Sequence, residues 1–204
     1  MHHTVSSTMQ SAWNWWNETE DHIATAFIID KNGIIYRCFD EKYWAYHTGT
    51  GAHYDKHSIG IELVNEGSLI KDTTGNFKWF DGKYIYKGSI DSIFKIDQPW
   101  RGYNYFANYT NKQILSSKKL VKYLCEKYNI NKNVLLDRNY HKAFKSYEGT
   151  ITHANVNENK SDVSLAYSLQ ELSDYLQDTN EQLNNESNNK INIFINKFLK
   201  CKKK

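Results

Sequence analysis

The chain has 204 residues, 40% hydrophobic and 24% charged, with a formal net charge of +3; that is room for one sizeable core and a short appendage, not for two enzyme domains joined by linkers. So small an excess of charge, much of it gathered in the terminal KFLKCKKK, forms no basic patch of the kind that binds nucleic acid. No run approaches the roughly 18 apolar residues of a membrane span, and no basic-then-apolar leader is visible at the N-terminus.

The three cysteines, Cys38, Cys125 and Cys201, are far apart, odd in number and without a CxxC spacing, which suggests free thiols in a reducing compartment. Fifteen tyrosines and six tryptophans could offer stacking surfaces to ring-shaped ligands, although most such rings pack cores.

The opening MHHTVSST places two histidines beside hydroxyl residues. Such a pair is a tag remnant, a solvated terminus or one corner of a metal site, and only a distant partner decides. TAFIIDKNGIIYRCF reads as two β-rich runs, Ala26 to Ile29 and Ile34 to Phe39, turning at Asn32-Gly33. Ser58 to Val64 (SIGIELV) has the near-continuous apolar character of a buried strand, with Glu62 out of place within it. Glu66 to Tyr109 is aromatic, Gly-rich and weakly periodic, and is expected to form long connections with short strands. Thr110 should cap a helix of about five turns whose stripe is Ile114, Leu115, Leu120, Val121, Leu124, Cys125 and Tyr128. A possible strand at GTITH comes next, then a helix capped by Ser164 with Leu165, Leu169, Leu172 and Leu176 along one face. After Asp178 the chain turns Asn-rich and then basic, as a frayed tail or a partner-seeking amphipathic segment would.

The distant partner for the opening histidines is THANVNENKSDVS, where His153 is followed by Lys160 at +7 and Asp162 at +9. Alone this spacing is weak. A carboxylate such as Glu62 in an apolar strand either meets a cation, as in a structural ion pair, or faces a cavity. Lys160, in a polar loop, would ordinarily be solvent-exposed.

Taken in order, HHT, IIDKNGIIYRCF, WAYHTG, HSIGIELVNEG, the YTNKQILSSKKLVKYLCEKYNI helix and H-x6-K-x-D resemble the type-2 N-acetylmuramoyl-L-alanine amidases. These zinc amidases include phage endolysins, bacterial autolysins and muropeptide amidases, and are similar in fold to peptidoglycan recognition proteins. The resemblance runs from about Met1 to Leu176. It implies an α/β amidase domain at 1–177, a central mixed β-sheet flanked by helices, and a linker and basic tail at 178–204. It also implies one zinc held by His2, His153 and Asp162, with Glu62 as base then acid and Lys160 at the oxyanion. Two imidazoles and one carboxylate leave a fourth position open, as catalytic zinc sites do. WAYHTG matches the family's groove segment, placing Trp44, His47, Thr48 and Gly49 at the substrate, although Trp44 could equally be a core ring. His3 should face away from His2, and His22, His53, His57 and His141 read as surface or capping residues.

The implied activity is cleavage of the amide between N-acetylmuramic acid and L-alanine, with peptidoglycan or muropeptides as partner and a monomer favoured. A phage-type endolysin, made in the cytoplasm and acting on the wall, is the leading expectation. A muropeptide-recycling amidase, a non-cutting peptidoglycan-binding module of the same fold and an adaptor with a basic docking tail are the alternatives. Three departures from the pattern stand out. Thr25-Ala26 replaces a family aromatic or histidine, Asp162-Val163-Ser164 lacks the usual proline turn, and only Met1 precedes His2, which leaves that ligand on an end free to fray.

Overall fold

The apolar runs on either side of Asn32-Gly33 form the expected hairpin in the computed structural model, which describes residues 1–142, 147–178 and 193–194. With β1 (His2–His3), β2 (Phe27–Ile29), β3 (Ile35–Arg37) and β4 (Ile61–Leu63), it builds a mixed sheet ordered β1-β4-β2-β3. β4 lies parallel to both β1 and β2, and β2 is antiparallel to β3. Gly33 turns the hairpin at φ +85°, where a Cβ would meet the backbone and side chain of Lys112 at 3.0 Å, so both conformation and space require glycine.

One face of this sheet carries Phe27, Ile29, Ile61 and Leu63 against α3 (Asn111–Tyr128) and α5 (Leu169–Gln177). Leu120, Leu124, Leu172 and Leu176 are buried there, and each contributes about 1.5–3 kcal/mol of hydrophobic stabilisation. The stripe read from the sequence is the one turned to the core, save that Leu115 and Tyr128 are exposed. Thr110 caps α3 as expected, in a reciprocal box with Gln113. Gln113 itself is fully buried, and its amide donates to the carbonyls of Ile29 and Val64.

The other face packs Ile28, Cys38 and Val64 beneath Met9, Trp13 and Trp16 of α1 (Met9–Glu18), a helix absent from the sequence-based expectation. Met9, Ala12, Trp13 and Trp16 follow an i, i+3, i+4, i+7 spacing, so the signal is present but short.

Three further expectations are corrected. Glu66 to Tyr109 is more ordered than expected: β5 (Ser68–Lys71), β6 (Phe77–Trp79), β7 (Ile93–Trp100) and β8 (Tyr103–Ala107) pair across its connections into a second, antiparallel sheet ordered β6-β5-β8-β7. Its strands are half-exposed and mix lysines with aromatics, which erases the alternation that marks a strand. GTITH is no strand: Thr150 makes a single bridge to Val134, and His153–Val156 is a one-turn helix, α4. α5 is capped by Ser168, which accepts from the Glu171 N–H, rather than by Ser164. Ser164 stays in a turn because Arg138 donates to the carbonyls of Val163, Ser164 and Tyr167.

Of the tail beyond Asp178, only Ile193–Phe194 (β9) lies within the described residues, where it is a strand pairing in parallel with Ile35–Tyr36 and not helix. The rest of that segment, Cys201 included, falls outside them. Among the described residues no helix is long and apolar enough to cross a membrane.

Candidate metal centre and active-site groove

β1 brings the first histidine into place. The Met1 amino group donates to the Ile151 carbonyl, and the Met1 carbonyl accepts from the His153 N–H. His2 is therefore tied to β4 on one side and to the 151–153 segment on the other, and is only 4% exposed. The register sets His2 beside Glu62, so both side chains share a sheet face. His3 faces the opposite way, as alternation requires, with its Nδ1 2.9 Å from the Tyr109 hydroxyl.

His153 opens α4, where Thr152 donates through both N–H and hydroxyl to Asn155 Oδ1. The Asp162 carbonyl accepts from the Ala154 N–H, folding the 154–162 segment back on itself, and the Asp162–Val163 peptide is cis. Three atoms then converge. His2 Nδ1 is 2.9 Å from His153 Nδ1 and 3.3 Å from Asp162 Oδ2, and His153 Nδ1 is 3.0 Å from Asp162 Oδ2.

The tautomers follow from the outer contacts. His153 Nε2 lies 2.8 Å from the Thr48 carbonyl, an acceptor only, so that nitrogen carries a proton and Nδ1 is the atom turned inward, available as a lone-pair donor in the neutral ring. Burial first, with the neighbouring His153 adding to it, holds the His2 pKa well below the usual histidine range. Burial works against the charged form of Asp162, but His153 and His2 keep its pKa well below the ordinary carboxylate value. Two neutral imidazole lone pairs and a carboxylate facing one another at this range repel unless a cation or protons lie between them. Donors around a tetrahedral zinc with bonds of 2.0–2.1 Å stand about 3.3 Å apart, close to the observed triangle, so the residues fit such an ion.

Glu62 and Lys160 line the same open groove as Asp162, a cavity of about 1120 Å³. Burial, and then the charge of Asp162, push the Glu62 carboxyl up to about 8, with the N-terminus and Lys160 opposing. A positive charge held by the three donors would draw it back down. Lys160 stands exposed in a turn closed by its N–H to the Asn157 carbonyl.

The WAYHTG segment divides. His47 sits at the centre, its Nδ1 3.0 Å from His2 Nε2 and its Nε2 3.1 Å from Ser58 Oγ. Gly49 lines the groove. Thr48 is buried and serves through its carbonyl, while its hydroxyl bonds to that of Thr50. Trp44 lies in neither the core nor this groove. It is 42% exposed, under the Lys56 ammonium, and borders a separate cavity of about 740 Å³ that reaches the histidines from the side away from Glu62. At the position of the first departure, the buried Thr25 hydroxyl donates to the Phe27 carbonyl, and Ala26 is core. His22, His53, His57 and His141 lie away from the three donors; His57 follows α2 (Ala52–Lys56) and donates to the His53 carbonyl.

Two residues of the site have no mark in the sequence. Asp55, 1% exposed, accepts at one oxygen from the N–H groups of His47 and Thr48 at 3.0 and 2.9 Å, and so fixes both the His47 ring and the carbonyl that orients His153. Arg101 reaches the groove from the second sheet. Only an acid seven or eight residues downstream of a histidine-bearing turn could have hinted at the first.

The mixed sheet with helices, together with an inward triad of two imidazoles and a carboxylate at a groove holding a second acid and a lysine, has the form of a mononuclear metallohydrolase centre. Residues 1–164 match the sequence profile of the N-acetylmuramoyl-L-alanine amidase family, Amidase_2, and the chain belongs to that family. The fold is similar to that of the N-acetylmuramyl-L-alanine amidase AmiD from E. coli, solved in complex with anhydro-N-acetylmuramic acid-L-Ala-D-gamma-Glu-L-Lys, at 20% identity and a TM-score of 0.54. The likeness covers 85% of this chain and 55% of AmiD, so the chain spans little more than half the length of that neighbour. No curated protein sequence matches the chain.

Proposed function

We propose that the chain is a zinc-dependent N-acetylmuramoyl-L-alanine amidase that hydrolyses the amide between N-acetylmuramic acid and the L-alanine of the stem peptide. The observation that carries this reading is the convergence of three lone-pair donors, within 3.3 Å of one another, beside a groove that Glu62 and Lys160 also line. His2, His153 and Asp162 would hold the zinc, which when bound supplies Lewis acidity and a water of lowered pKa.

Glu62, across from His2 on the adjacent strand, takes the proton of the attacking water and returns it to the leaving L-alanine nitrogen. Lys160 donates to the carbonyl oxygen as that oxygen gains negative charge. Asp55 and the Thr48 carbonyl keep His153 in its inward-facing tautomer throughout. An open groove of this size accepts a glycan-linked peptide as well as a soluble fragment. We take the intact wall as the working substrate, in the manner of a phage-type endolysin made inside the cell and released to the wall.

The test is zinc stoichiometry of the purified chain together with release of new L-alanine amino termini from peptidoglycan and from soluble muropeptides. One zinc per chain and chelator-sensitive release are expected, with cross-linked wall cut at least as well as fragments. Glu62→Gln should abolish turnover while zinc stays bound. Full activity in that variant would remove Glu62 from its role, and wall binding without release would point to a non-cutting recognition module.

A further inference from the structure

The β7–β8 hairpin closes through Arg101-Gly102, with Trp100 and Tyr103 paired on either side. Both turn residues have positive φ, +50° for Arg101 and +83° for Gly102. Asn or Gly suits such a position, and an arginine there is conformationally costly. The arginine side chain leaves its own sheet. One guanidinium nitrogen, Nη1, donates to the Glu158 carbonyl and the other, Nη2, to the Ala154 carbonyl at 3.3 Å, while the Trp100 ring lies 5.5 Å from the guanidinium carbon. Those two carbonyls bracket the turn between His153 and Lys160. A planar fork can hold two diverging carbonyls at once, which a lysine ammonium on a flexible stem does less rigidly.

We propose that Arg101 is a positioning residue for the active site: it clamps the 154–158 segment from the second sheet, fixing His153 and Lys160 relative to Glu62. The second sheet is thereby a working part of the site rather than an ornament of the domain. The inference rests on the amidase reading for its kinetic consequence, but its geometric core stands apart from it.

The test uses Arg101→Asn and Arg101→Lys in the full chain. Asparagine suits the left-handed turn, so the melting temperature should hold or rise while the clamp is lost. Amide hydrogen exchange across 154–162 in metal-free protein should speed up about tenfold or more, a readout independent of turnover. In the zinc-loaded enzyme kcat on a soluble muropeptide should fall about 10- to 100-fold with KM little changed. Arg101→Lys should recover less than half of the lost protection. Unchanged exchange at 154–162 in Arg101→Asn would overturn the proposal whether or not the protein proves to be an amidase. Faster exchange with unchanged kcat would overturn the catalytic consequence, and full rescue by lysine would overturn the requirement for the fork.

Discussion

Asp55 offers a direct way to ask whether the metal centre is organised from behind. Its Oδ1 accepts two main-chain N–H groups, and its Oδ2 is buried without a hydrogen-bond partner. In Asp55→Ala both N–H groups lose a charged acceptor, at about 1.5–3 kcal/mol each, while removal of the unpartnered oxygen returns about 1–3 kcal/mol, leaving a net loss of about 2–3 kcal/mol. Asp55→Asn keeps an acceptor in place and should cost about 1 kcal/mol. The larger effect is expected at the metal. Once Thr48 moves, His153 Nε2 loses the acceptor that fixes its tautomer, and loss of such an outer contact typically weakens zinc binding about 10- to 100-fold. Urea denaturation of the metal-free protein gives the first quantity, and competition with a chromophoric chelator, at a temperature where both variants are folded, gives the second. If Asp55→Ala is destabilised by the full amount yet binds zinc as tightly as the parent, the route from Asp55 through the Thr48 carbonyl to His153 carries no coupling and the reasoning fails.

Other outcomes can be checked independently. Lys160→Ala should lower kcat about 10²- to 10³-fold with KM nearly unchanged, the signature of a donor that acts only as charge develops; a rise in KM alone would make Lys160 a ground-state contact. Gln113→Leu removes a fully buried amide and strands the Val64 carbonyl together with the Thr110 N–H, while the Ile29 carbonyl keeps the Val64 N–H, so unfolding should cost about 2–4 kcal/mol less, read as a lowered urea midpoint with unchanged slope. Glu41, with a side chain only 2% exposed, accepts from Lys127, Tyr128 and Arg37, which against burial bring its pKa down to about 2 from 4.5. A carboxylate held low stabilises the fold above its unfolded pKa and loses that contribution as pH falls through its folded one. Between pH 4.5 and 2 the parent should therefore lose about 3 kcal/mol at full value, cut to about 1–2 by solvent at the Lys127 head, and Glu41→Gln should flatten that slope in denaturation curves.

What the sequence reveals of this protein, and what it hides, divides along a physical line. Glu62, His153 and Asp162 are legible because each is chemically out of place or oddly spaced: an acid in an apolar strand, and a histidine and an acid nine residues apart in a polar loop. The hairpin at Asn32-Gly33 and the Thr110-capped helix are legible because a turn type or a cap restricts residue choice to a few. The second sheet is hidden because strands wetted on one face and padded with aromatics on the other keep no clean period. Ser164 and Ser168 are indistinguishable as caps until Arg138, far off in the chain, claims the carbonyls around the first. Asp55 and Arg101, and the use made of the Thr48 carbonyl, are hidden for a different reason. Each acts on or through main-chain N–H and C=O groups, which every residue carries, so nothing at the receiving end of the contact marks the sequence. Side chains that perform chemistry are thus constrained in type and can be read, whereas those that aim them are constrained only in reach and must be seen in three dimensions. That is why substitutions at Asp55 and Arg101, more than at the triad itself, test whether this fold holds its site in working order.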